Sequence, residues 1–257
     1  MAKQRNISRL FAPVHQTAYT NLLVSGCSFT WNNSEQHLCT WPYYLRDLAQ
    51  FNTVLDCSQS GSGFNHAFNS IINEIETNPA VMPATTLVII MWSGVERVDI
   101  TADNNLVRSW SNMETQAFGN NLTSLSLFNQ APQWTTLTGA KPESTVESLR
   151  KHYRMLINSP AQVFDSYIKL IALHNYLENL NFKSVFLEWE SIVDRLQLTE
   201  SVLNDRYRQL MAPISTLGAY ATKSNQRIPD DGHPSPAAHL DWTQQVLLPY
   251  LIENNLI

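Results

Sequence analysis

Residues 21–33 read NLLVSGCSFTWNN, and the way this stretch begins and ends decides the architecture. Leu22, Leu23 and Val24 make the short apolar run of a buried strand. The run ends in Ser25-Gly26-Cys27-Ser28-Phe29-Thr30, a cluster of small residues that lets the backbone turn sharply. A serine on such a turn serves either plain chain reversal or a nucleophile that must stand clear of its own backbone, as on a strand-to-helix elbow.

Working outward, the apolar period changes from strand to helix and back. In SEQHLCTWPYYLRDLAQF (34–51), Leu38, Trp41, Tyr44, Leu45 and Leu48 recur at helical spacing, and NTVLDCS (52–58) is a second short strand. QSGSGFN closes that strand, after which Phe64, Phe68, Ile71, Ile72 and Ile75 share a helical face. TTLVIIMWSG (85–94) is a continuous apolar run, the signature of a strand buried on both faces of a parallel sheet. A long helix is expected over 159–181 with Val163, Tyr167, Leu170, His174 and Leu177 on one stripe, followed by a strand at FKSVFLEW (182–189). The segment 191–229 offers one short helix, around ESVLNDRYRQLM, and HPSPAAHLDWTQQVLLPYLIENN closes the chain as a helix with Pro236 near its start. Its apolar positions are Ala237, Leu240, Val246, Leu247 and Leu251. The alternation predicts one α/β domain over 1–257, a three-layer α/β/α sandwich on a mostly parallel, flavodoxin-like sheet with right-handed crossovers.

Residues 101–160 interrupt this rhythm. They are rich in Asn, Ser and Thr yet carry Trp110, Phe118, Phe128 and Trp134, which predicts an insertion or lid whose aromatics either face a carbohydrate or flat apolar ligand or, as the simpler reading, anchor it to the body.

Bulk properties remove several classes of function. A chain of 257 residues with 44% hydrophobic and 15% charged residues and a formal net charge of −5 is an ordinary globular composition, long enough to bury a large core. Lys3, Arg5 and Arg9 begin no basic stripe, so nucleic acid is not an expected partner. TLVIIMW (86–92), the longest apolar run, is far shorter than a membrane span, and the N-terminus makes a poor signal peptide, so cytoplasmic synthesis is expected. Cys27, Cys39 and Cys57 form no CxxC pair, and no two histidines have metal-ligand spacing; buried free thiols and no metal or other cofactor are expected.

The residues with chemistry stand near the two ends. Ser28 falls where the first strand hands over to the first helix, and ligands of open α/β sheets bind outside the carboxyl ends of the strands. In PDDGHPS (229–235), Asp230 precedes His233 by three residues on a loop before the last helix. A carboxylate holding the Nδ1 proton would leave Nε2 free to take a hydroxyl proton. Glu188 and Glu190 flank Trp189 in the manner of a glycosidase pair, but a solvated strand end explains them more simply. His66, His174 and His239 are expected to be structural.

GCSFT (26–30), SGSGFN (60–65) and DDGHPS (230–235) together resemble the first, second and last blocks of the SGNH hydrolases, also called GDSL esterases, in order and spacing over nearly the whole chain. The resemblance implies the SGNH fold, with Ser28 as nucleophile, His233 as base and Asp230 as its orienter; Asp231 is the runner-up. It implies an oxyanion hole from the Ser28 N–H, a second-block glycine (Gly61 preferred over Gly63) and a third-block asparagine. The third block departs from the family: MWSGVERVD places Ser93 on the family's glycine and Val95, which donates nothing, on its asparagine. Asn65, Ser93 and Arg97 are the candidate replacements. GCSFT, HPSPAAH and the WS followed by an arginine also resemble SGNH-like proteins of tailed bacteriophages, which implies virion association or self-assembly. The expected activity is hydrolysis of a short acyl ester, such as an O-acetyl group on a small molecule or glycan, through an acyl-enzyme. The alternative is an inactive SGNH-fold binding or virion structural protein, which Val95 favours and the intact Ser28, Asp230 and His233 oppose.

Overall fold

The computed structural model describes residues 17–31, 39–59, 62–92, 97–102, 122–124, 133–138, 160–190, 202–228 and 232–257. Its centre is a parallel sheet of β1 (Asn21–Ser25), β2 (Thr53–Asp56), β3 (Thr86–Trp92) and, later in the chain, Lys183–Glu188. Between β3 and that last strand come β4 (Arg97–Ala102), β5 (Leu122–Ser124) and β6 (Gln133–Thr138), so Lys183–Glu188 is β7. The order β2-β1-β3-β7 is the flavodoxin-like arrangement, in which the chain reverses its direction of travel across the sheet beside β1. The three-layer α/β expectation therefore holds.

Strand alternation builds two cores. Leu22 and Val24 of β1, Leu87, Ile89 and Met91 of β3, and Val185 and Leu187 of β7 face one side. There they meet Trp41, Leu45 and Leu48 of α1 (Trp41–Ala49) and the C-terminal helix through Trp242, Leu247 and Leu251. Leu23, Val88, Ile90, Trp92 and Phe186 face the other side. They pack on Phe64, Ala67 and Ile71 of α2 (Phe64–Thr77) and on Tyr167, Leu170, Leu173 and Leu177 of α3 (Pro160–Asn179). All seven residues of β3 are buried, as a strand covered on both faces must be.

Several helices differ from the sequence reading in detail. Helix α1 begins at Trp41, because Pro42 suits the first turn and has no N–H to donate deeper in a helix; Leu38 lies outside the described residues. On α3 the buried stripe runs through Leu173, and His174 sits at its half-buried edge against Phe186. After α4 (Val202–Leu210), Met211 bridges to Phe186 and the Ala212 N–H donates to the Phe186 carbonyl at 2.8 Å, covering part of the β7 edge. A short helix α5 (Leu217–Lys223), capped by the Thr216 hydroxyl, was not expected.

The closing helix starts as α6 (Pro236–Trp242), with the Ser235 hydroxyl accepting from the Ala238 N–H and Pro236 in the first turn. It buries Ala238, His239, Trp242, Thr243, Leu247, Leu248 and Leu251, while Ala237 is exposed and Leu240 only half-buried. The predicted stripe drifts because the helix contains one wide π turn, Thr243–Leu247, in which Leu248 N–H reaches the carbonyl of Thr243, five residues back. That turn falls just before Pro249, whose ring would otherwise meet the carbonyl of Gln245; α7 (Leu248–Glu253) then resumes. Within the expected insertion the described strands form a separate antiparallel sheet, ordered β4-β6-β5. Of its four aromatics, only Trp134 falls among the described residues. No helix among the described residues is long and apolar enough to cross a membrane.

Candidate active site

The turn after β1 is a single tight loop held by its own backbone. Thr30 and Trp31 N–H both donate to the Cys27 carbonyl at 2.9 Å. Gly26 is required there by space: a Cβ would lie 2.5 Å from Thr30 Oγ1 and 2.8 Å from the Met91 carbonyl of β3. Cys27 points into the core, so the next residue, Ser28, is turned toward the half-exposed rim at the carboxyl end of the sheet. The Ser28 N–H donates to no acceptor among the described residues.

The loop after β2 is sewn to this turn. Cys57 N–H donates to Val24 O at 2.8 Å, Gln59 N–H to Gly26 O at 3.0 Å, and the Ser62 hydroxyl to Gly26 O at 2.9 Å. Beneath it, Ser25 and Ser70 share a 2.8 Å hydroxyl bond and His66 Nε2 lies 3.0 Å from Cys57 O. His66 thus anchors α2 to the β2 loop, as a structural residue. Asn65 is the second residue of α2, half-buried, at the helix end that faces this loop. Gly61, Ser93 and Val95 lie outside the described residues, and Arg97 is placed only as the first residue of β4.

His233 arrives from the far end of the sequence. Its Nε2 is 2.8 Å from Ser28 Oγ, a hydrogen bond between residues 205 positions apart. The ring lies on Phe29, centroids 5.0 Å apart and 29° from parallel, and Phe29 stacks in turn on Trp189 at 4.5 Å and 27°. The face of Phe29, itself backed by Trp189, therefore holds the imidazole plane that presents Nε2 to Ser28. Asp230 and Asp231 lie outside the described residues.

A second histidine backs the site. His239 Nδ1 accepts the Trp41 N–H at 3.3 Å, satisfying one of the N-terminal donors that α1 cannot pair internally. Burial, with a smaller contribution from the charge of nearby His233, pushes its pKa down to about 3, so it is a neutral imidazole carrying its proton on Nε2. Thr40 Oγ1 donates to Thr30 O at 2.7 Å, so the start of α1 ties the Ser28 turn to the last helix.

At the end of β7, Glu188 accepts from the Tyr207 hydroxyl at 2.5 Å, and burial beside Glu188 drives that phenol's pKa far upward. Glu188 is thus engaged in packing α4 onto the strand end. A cleft of about 1010 Å³ opens there, lined by Glu188, Glu190, Tyr207, Gly218, Thr222 and Arg227 among others, and neither Ser28 nor His233 lines it. Cys27, Cys39 and Cys57 are free; Cys27 is buried and the other two half-buried. Burial pushes the Cys57 thiol up to about 12, which keeps it protonated and unreactive. Among the described residues no cluster of His, Cys, Asp or Glu could hold a metal.

The sequence placed Ser28 and His233 at one site, and the fold brings Ser28 Oγ and His233 Nε2 to hydrogen-bond distance. The aromatic wall of Phe29 and Trp189, the neutral His239 and the loop contacts of Arg227 were missed. Only Trp189 left a trace in the sequence, as the aromatic that ends a strand on the carboxyl side of the sheet.

No protein-family model and no curated protein matches the chain. Among solved structures it is similar to the psychrotrophic esterase EstA from Pseudoalteromonas sp., inhibited by monoethylphosphonate, at 14% identity over 91% of this chain and 99% of that one, with a TM-score of 0.47. It is also similar to TesA at 15% identity over 90% of this chain and 97% of that one, with a TM-score of 0.45. At such scores the chemistry has to rest on the site's own atoms.

Proposed function

We propose that this protein is a serine esterase of the SGNH hydrolase type. The observation that carries the reading is the 2.8 Å contact between Ser28 Oγ and His233 Nε2 at the carboxyl edge of the central strand, where a substrate can reach both. Ser28 Oγ attacks the ester carbonyl as His233 Nε2 takes its proton, and the tetrahedral oxyanion is held by the Ser28 N–H, which donates to no acceptor among the described residues, together with Gly61 N–H and Asn65. His233 returns the proton to the leaving alcohol, and water, activated by the same imidazole, releases the acid. Asp230 fixes the Nδ1 tautomer in this scheme.

The acyl group is short, and an O-acetyl ester on a small molecule or glycan is the first substrate class to screen; the phage-like GCSFT and HPSPAAH blocks make a virion-associated glycan esterase the specific form of the reading. The test is intact-protein mass after exposure to a fluorophosphonate, which needs an activated serine and not the right substrate. One adduct on the wild type, absent from Ser28→Ala and His233→Ala, is expected. A wild type that takes up no adduct refutes the esterase and points to a binding protein on the same fold.

A further inference from the structure

Resting on that reading, we propose that Arg227 is the positioning residue of the site: its guanidinium clamps the peptide unit that carries His233 and ties it to the aromatic wall behind the imidazole. Nη1 donates to the Gly232 carbonyl at 2.6 Å, Nη2 to the Gly218 carbonyl at 2.9 Å, and Nε to Thr222 Oγ1 at 2.8 Å. The Gly232 carbonyl belongs to the same planar peptide as the His233 N–H, so holding that oxygen holds the direction in which His233 leaves the loop. Gly232 has φ +72°, a backbone conformation that leaves this peptide little other support from local preference.

The remaining contacts make a closed circuit. Ile228 N–H donates to His233 O at 2.7 Å and Gly232 N–H to Ile228 O at 2.9 Å, while Arg227 bridges antiparallel to Pro234. Arg227 and Ile228 thus run antiparallel to His233 and Pro234, with Arg227 on the segment opposite the histidine. On the other side, Gly218 is pressed onto Trp189: its N–H donates to Trp189 O at 2.8 Å, and a Cβ there would lie 2.6 Å from that oxygen. Trp189 stacks on Phe29 and Phe29 on His233, so the backbone path through Arg227 and the ring path through Trp189 meet at the same imidazole. No carboxylate pairs with Arg227 among the described residues. Its fork of donors goes to neutral acceptors on two separate segments, a geometry that a lysine ammonium cannot span.

The experiment measures the rate of fluorophosphonate labelling and the hydrolysis of p-nitrophenyl acetate for the wild type, Arg227→Ala, Arg227→Lys and Thr222→Val, with a melting curve for each. Arg227→Ala and Arg227→Lys are expected to label about 100-fold more slowly, with the loss in kcat and KM changed less than about threefold, because a misplaced base hurts the reaction and not the encounter. Thr222→Val, at an exposed position, loses one bond to the fork and slows labelling by about fivefold. Added ethylguanidinium restores Arg227→Ala and ethylammonium does not, which a merely structural defect would not show. Folded variants that label at the wild-type rate overturn the positioning role, and Thr222→Val decides it should the arginine variants fail to fold. A wild type that never labels is a different result and removes the esterase reading itself.

Discussion

Replacing His239 by asparagine should flatten the acid side of the protein's stability curve. The imidazole is buried, accepts the Trp41 N–H through Nδ1, and has its pKa lowered from 6.5 to about 3, first by desolvation and then by the charge of His233. Below pH 6.5 the unfolded chain takes up a proton here that the folded chain refuses until about pH 3. The unfolded state therefore binds more protons across that window, and stability is full above it and falls as pH drops through it. At about 1.4 kcal/mol per pH unit, this one residue removes about 2.5 kcal/mol between pH 7 and pH 4.5. Asparagine keeps an acceptor near the Trp41 N–H and does not titrate, at a packing cost of about 1–2 kcal/mol at pH 7. Urea unfolding followed by tryptophan fluorescence at pH 7, 6, 5 and 4.5 reads the difference. With a slope of about 2–3 kcal/mol per molar urea, the wild-type midpoint should fall by about 1 M more than that of His239→Asn over this range. Carboxylates act on both proteins alike and cancel. Parallel declines would refute a buried neutral His239.

Gly26→Ala forces a methyl to within 2.8 Å of the Met91 carbonyl, which belongs to β3 and cannot yield, so a loss of about 2–3 kcal/mol in chemical denaturation is expected, with slower fluorophosphonate labelling as the Ser28 turn shifts. Leu23→Ala, at a fully buried position of β1 between α2 and β3, should cost about 3–4 kcal/mol in the same assay while labelling of the folded fraction stays at the wild-type rate.

Local periodicity carried most of the fold. Leu22, Leu23 and Val24, the six consecutive apolar residues of β3 and the apolar run Val185-Phe186-Leu187 in β7 identify buried parallel strands without reference to anything distant, because a side chain's face follows from its own position in the strand. Gly26 and Ser28 were legible for a similar reason: a tight turn at the end of a buried strand leaves a signature in small residues. The reach of His233 to Ser28 was legible only through motifs that resemble a known family, since 205 positions separate the two and no local rule joins them.

What tertiary structure alone decided is the company these residues keep. Nothing in PDDGHPSP says that Arg227 grips the Gly232 carbonyl, because a guanidinium chooses among acceptors brought near by packing. Nothing in HPSPAAH says that His239 caps α1, a helix about 200 residues earlier, and is thereby kept neutral. The stack of Trp189, Phe29 and His233 joins the ends of three separate segments. The sequence determined the strands of the central sheet and the turn that carries Ser28, whose causes are local. Orientation and protonation depend on burial and on neighbours distant in the chain, and those exist only once the sheet has assembled.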